Sequence, residues 1–133
     1  MERVLWLDQD RGIILWRFDD NPTLETLLSD FEGYRSLVTA SGRSTLHTLV
    51  DLSTVHDLPH DIVKRFPSIA KELHPPDDLT GSIAIVHNGL FMHSILDMYS
   101  RSSGYQFAYF HSFDAAYRYV QEQSEQASSS NSG

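Results

Sequence analysis

Residues 4–123 predict an α/β fold, a mixed five-stranded sheet with about four helices, and three observations carry that reading. Two short apolar runs, Val4 to Asp8 and Ile13 to Phe18, flank the polar link Gln9-Asp10-Arg11-Gly12, whose Asp and Gly suit a hairpin turn. Three later β-like runs alternate with segments of helical periodicity, the arrangement that builds βαβ units with right-handed crossovers. The third observation is the run Leu46-His47-Thr48-Leu49-Val50-Asp51-Leu52-Ser53, an apolar strand opening onto a loop. Open α/β sheets place ligands outside the carboxyl ends of such strands.

The first two strands should pair antiparallel. In the second, Ile14, Trp16 and Phe18 form a wholly apolar face, whereas Ile13, Leu15 and Arg17 form a mixed one, so one sheet face reads as core and the other as half-wet. Asp20-Asn21-Pro22-Thr23-Leu24-Glu25 carries helix-start signals, and Leu24, Leu27, Leu28, Phe31, Tyr34 and Val38 recur as one buried stripe toward Ala40, before Ser41-Gly42 ends the helix. After the third strand, Leu58-Pro59-His60-Asp61 opens a second helix with Ile62, Phe66, Ile69, Ala70 and Leu73 inward. Pro67 lies inside that pattern and predicts a kink or a division. His74-Pro75-Pro76-Asp77-Asp78 is a stiff link to the strand Ser82 to His87. Leu90 to Ser100 is a weaker amphipathic helix with Leu90, His93 or Ser94, and Asp97 set against Phe91, Ile95 and Met98. Tyr105 to Phe110 is the last strand, and Phe113 to Gln123 the closing helix, with Ala116, Tyr117 and Val120 inward.

The 133 residues suit one domain, 1–123, followed by a flexible Ser-rich tail, 124–133, whose composition lacks apolar periodicity. Hydrophobic residues make up 41% and charged residues 21% of the chain, and no apolar run approaches a membrane span. Met1-Glu2-Arg3 leads straight into the first strand without the features of a signal peptide, so the expected compartment is the cytoplasm. The absence of cysteine excludes disulfides, thiolate nucleophiles and Cys-based metal sites. A net charge of -8, with Lys64 and Lys71 the only lysines, opposes nucleic acid and anionic membranes as partners.

Two segments resemble the SpoIIAA-like, or STAS-like, family. They are Val50-Asp51-Leu52-Ser53 and the late Phe110-His111-Ser112-Phe113-Asp114-Ala115-Ala116-Tyr117-Arg118-Tyr119-Val120. The second is similar to the family's ending of phenylalanine, spacer, aromatic, small pair and aromatic. The resemblance covers residues 4–123. It implies a regulatory or ligand-binding module more than an enzyme, and the leading expectation is a protein-interaction module that works by contact as a homodimer. In anti-sigma-factor antagonists of that family, a serine at the start of the following helix is phosphorylated by a partner kinase. The corresponding stretch here, Leu58-Pro59-His60-Asp61, has no hydroxyl, so the resemblance does not extend to that switch.

Asp51, Ser53, Thr54, His56 and His60 are the candidate binding residues, because they follow the third strand and open the second helix. Read as catalysts, the Asp, Ser and His of this stretch lack a nucleophile elbow or a glycine-rich phosphate loop; Asp51 and Ser53 are more simply turn and cap residues. Tyr99, Tyr105 and Phe107 could line a groove for a small apolar, lipid-like ligand. Leu5, Leu7, Ile13, Leu15 and Tyr109 would leave the second sheet face apolar enough to need covering, by a ligand or a second copy. His87 and His111 end the fourth and fifth strands and, with His56, bring imidazoles toward one sheet edge, the basis of a third reading as a metal- or His-dependent hydrolase. No local spacing matches a known zinc motif, so no cofactor is expected.

Overall fold

The computed structural model describes residues 3–55, 58–72, 81–87, 89–103 and 107–132; for residues 66, 67, 69–72, 90–92, 99, 102, 103 and 127–132 it describes the backbone alone. The elements are β1 (Val4–Asp8), β2 (Ile13–Arg17), α1 (Leu24–Ser41), β3 (His47–Asp51), α2 (His60–Glu72), β4 (Ile83–Val86), α3 (Leu90–Ser103), β5 (Phe107–Phe110) and α4 (Phe113–Ser132). The strands form one mixed five-stranded sheet in the order β1-β2-β3-β4-β5. β1 is antiparallel to β2, and β2 through β5 run parallel.

This sequential order decides where the helices lie. Successive right-handed crossovers that all step in one direction put their helices on the same face of the sheet. Trp16, Val50, Ile85 and Tyr109 occupy one row across that face. The row packs with Leu27 of α1, Ile62 of α2, and Ile95 and Leu96 of α3. Fully burying each such aliphatic side chain contributes about 1.5–3 kcal/mol before entropy is counted. The opposite face carries Ile13, Leu15, Leu49, Ala84 and Val86, and Ala116 and Val120 of α4 lie against it.

The second face is therefore core, not half-wet. Ile13 and Leu15 are buried beneath α4, with Leu5 and Leu7 partly buried beside them. Tyr109 is not part of this face: its register with Ile85 places it on the Trp16 side. The chain itself thus covers the surface that the sequence offered to a ligand or a second copy.

Local chemistry explains the element ends. Thr23 caps α1 by accepting the Thr26 N–H at 3.1 Å, while the Thr26 hydroxyl oxygen accepts the Thr23 N–H at 2.9 Å. Pro22 precedes this cap and does not occupy the first helical turn. Gly42 closes the helix at φ 65°, a left-handed conformation that suits glycine. Leu27 and Val38 are buried as expected, but Leu28 is exposed because it lies one residue around the helix from Leu27. Asp30 is buried instead, where both its oxygens accept from Arg3 Nε at 2.9 and 3.0 Å.

α2 passes Pro67 without division. The fixed φ of proline is itself helical, so the residue costs a hydrogen bond and not the chain path. Among the described side chains of α3, Ile95 and Leu96 are buried and Met98 is exposed, so Ile95 is inward as expected, Met98 is not, and Leu96 joins the inner side. α4 continues as helix through Ser132, whereas the sequence placed a tail without order from residue 124. Ser124 is buried, its hydroxyl donates to the Gln121 carbonyl at 2.8 Å, and Glu125 lies 3.5 Å from Arg11. Once packing has nucleated a helix, each added residue needs only one further hydrogen bond.

Candidate functional site

The carboxyl edge of the sheet carries two groups of polar side chains on opposite faces. The first is built around Asp51, the last residue of β3, which belongs to the α4-facing set and is buried. Its Oδ1 accepts the Ser53 backbone N–H at 2.9 Å, and its Oδ2 lies 3.5 Å from Arg17 Nε. The carboxylate thereby bends the chain out of the strand as an Asx turn and holds the bend to the neighbouring strand. Backbone bonds reinforce the corner: Phe18 N–H donates to the Asp51 carbonyl at 3.0 Å, and Leu52 N–H to the Val86 carbonyl at 2.8 Å.

Beyond this corner the side chains alternate in role. Leu52, Val55 and Leu58 are buried and fasten the loop to the core, whereas Thr54 is exposed and Ser53 half-buried. At the start of α2, Pro59 supplies a carbonyl that accepts from Ile62 at 3.0 Å and from Val63 at 3.2 Å. His60 and Asp61 are exposed there. Asp51, Ser53 and Thr54 thus belong to a corner tied to the neighbouring strands, His60 is exposed in the first turn of α2, and His56 lies outside the described residues.

The second group lies on the α1–α3 face. His87 follows β4 and is buried, its Nε2 lying 3.3 Å from Nδ1 of His93 on α3. His111, exposed after β5, has its ring centre 5.8 Å from that of His87, and Tyr109 packs against both His87 and His93 at 5.5 and 4.4 Å. Burial, followed by the neighbouring His93 and His111, holds the His87 imidazole below its ordinary pKa, against a smaller opposing effect of the Gly89 backbone. Among the described residues no group meets the buried His87 Nδ1 in hydrogen-bond geometry. Burial, and then the charge of Asp97, push the Tyr109 phenol up.

His87 and His111 lie with ring centres 5.8 Å apart, His93, a polar helix position in the sequence, stands beside His87, and the third expected member, His56, lies outside the described residues. His87 shares its strand phase with Ile85, but nothing local to α3 marks His93 as its neighbour, because that meeting depends on how α3 packs on the sheet. Among the described residues no three His or carboxylate side chains are already arranged to hold a metal ion. Of the expected apolar groove, Phe107 is half-buried against the core on the Trp16 face; its ring centre is 6.4 Å from that of Tyr109. Tyr105, and the side chain of Tyr99, lie outside what is described.

The hairpin, the parallel strands in sequential order and the three-to-one division of helices define an α/β fold of the SpoIIAA-like type. A particular likeness is to the crystal structure of an anti-sigma factor antagonist from Mycobacterium paratuberculosis, with a TM-score of 0.54 over 89% of this chain and 92% of that one. At 15% sequence identity the likeness is one of fold. No protein-family model matches the chain, and the search of curated proteins gives no match. No helix among the described residues is long and apolar enough to cross a membrane.

Proposed function

We propose that this chain is a regulatory module that works by binding a protein partner through the loop after β3 and the start of α2. The observation that carries the reading is the Asp51 corner. The buried Asp51 carboxylate fixes the backbone beside the exposed Thr54, and the first turn of α2, bonded through the Pro59 carbonyl, holds the exposed His60 and Asp61, so less conformational entropy is left to lose on binding. The likeness in fold to an anti-sigma factor antagonist supports a contact role and adds no residue to it. The chain's net charge of -8 favours a basic face on the partner.

The test is affinity capture with the full chain from extract of the source cells, comparing the natural sequence with a Thr54→Ala/His60→Ala variant. The proposal expects a protein retained in stoichiometric amount by the natural chain and lost by the variant. Equal retention by both would remove this surface from the account. Circular dichroism of the variant checks that the fold is kept.

A further inference from the structure

The histidines on the α1–α3 face carry an inference that does not rest on the contact reading. We propose that His87 Nε2 and His93 Nδ1 are a preformed pair of ligands for a divalent transition-metal ion, and that His111 closes the site as the third donor.

Two imidazole nitrogens each about 2.0–2.1 Å from one tetrahedral ion stand about 3.3 Å apart, with ring centres about 5.2 Å apart. Nε2 of His87 and Nδ1 of His93 are separated by 3.3 Å and their ring centres by 5.2 Å. A collinear N–H···N bond would be nearer to about 3.0 Å, and at the separation seen here would set the ring centres about 5.6 Å apart. The pair is within hydrogen-bond distance while the ring sites stay unmetallated, and its separations are also those of two nitrogens bound to one tetrahedral ion.

The fold holds these two donors in place. His87 is buried at the end of β4, and His93 lies half-buried on α3 one turn from Leu96, with Tyr109 against both rings. His111 is the residue that must move, because no three donors yet meet at one point. Its exposed ring, 5.8 Å from that of His87, can rotate without unpacking the core. Water or a substrate atom would complete four-coordination. A donor set made of imidazoles selects zinc, nickel or copper and disfavours calcium and magnesium, which take oxygen ligands. Asp97, one turn beyond His93, is paired with Arg101 at 3.0 Å, which leaves the histidines as the ligands.

The experiment uses the full chain freed of metal with a chelator and then dialysed against zinc at graded concentrations, bound metal being counted by elemental analysis. The proposal expects saturation at one zinc per chain, at least a tenfold loss of affinity in His93→Ala, and a measurable loss in His111→Ala. Magnesium should give no saturable binding. A zinc titration followed through the imidazole 15N resonances of the natural chain needs no variant to fold: His87, His93 and His111 should shift together to an end point at one equivalent, with His47 unmoved. No saturable zinc, binding undiminished in either variant, or resonances that move at other histidines instead would overturn the proposal.

Discussion

His47 Nδ1, at the start of β3, accepts the Ser82 backbone N–H at 3.1 Å and lies 2.8 Å from the Ser82 hydroxyl oxygen, so one imidazole fastens β3 to the entry of β4. An acceptor at Nδ1 must keep its lone pair, so this fastening exists only while the ring is neutral. The Thr48 N–H donates to the Ser82 carbonyl at 2.9 Å, and the side chain thus extends a parallel ladder by one rung.

The first prediction follows from that ring. Burial, and second the charge of Arg43, hold the His47 pKa below its ordinary value of 6.5. The unfolded chain therefore takes up a proton that the folded chain refuses, and the stability this contributes is complete above about pH 6.5 and declines as the pH falls toward the folded value. Urea unfolding at about pH 7.5 and about pH 5.5 should show a lower midpoint in acid. His47→Asn, whose amide oxygen can accept from Ser82 without titrating, should show a smaller drop. An equal drop in both proteins would show that His47 is not the group responsible.

At Asp51 the expected loss is local as well as global. Asp51→Ala removes the acceptor for the Ser53 N–H and the partner of Arg17. It should cost about 1–3 kcal/mol in denaturant unfolding. Asp51→Asn keeps an acceptor oxygen and should lose less. Hydrogen exchange at the Ser53 amide should rise in the alanine variant before exchange at Leu49 does.

Gly81 has φ 141°, and a Cβ at this position would collide with the Leu46 backbone carbonyl. Neither atom can yield without moving the entry to β3. Gly81→Ala should destabilise by at least about 1–3 kcal/mol, read as a lower melting temperature. A neutral result would mean that the two segments do not approach as closely as described.

α4 provides a further check on packing. Ala116 is fully buried against the sheet beside Val120. Enlarging it in Ala116→Leu should cost about 1–3 kcal/mol by overpacking. Asp114→Ala, on the exposed side of the same helix, should cost well under about 1 kcal/mol.

Much of this fold was legible in the sequence because local periodicity and turn chemistry act within a few residues. The Asp10-Arg11-Gly12 link, the Thr23 region and the apolar phase of β3 all follow from neighbours along the chain. What was not legible depended on topology. Ile13 and Leu15 looked half-wet because nothing local says that α4 returns across β2, β3 and β4. Leu28 and Met98 looked inward because an apolar residue at the margin of a helical stripe can face either way. Residues 124–132 looked without order because their composition is polar, although the helix preceding them supplies the nucleus.

The candidate site divides in the same way. Asp51 was visible as a strand-end residue, and its bond to Ser53 is a local event. The meeting of His87, His93 and His111 requires β4, α3 and β5 to be placed first, so only the two strand-end members could be paired from sequence. The His47–Ser82 link joins residues far apart in the chain and left no local signal.

The central claim is that the chain acts through protein contact, and native mass spectrometry of gently isolated protein tests it most directly. The account predicts the chain carrying a polypeptide partner, and loss of that partner in the Thr54→Ala/His60→Ala variant. A stoichiometric small apolar molecule on the chain, with no polypeptide and no change in the variant, would contradict it.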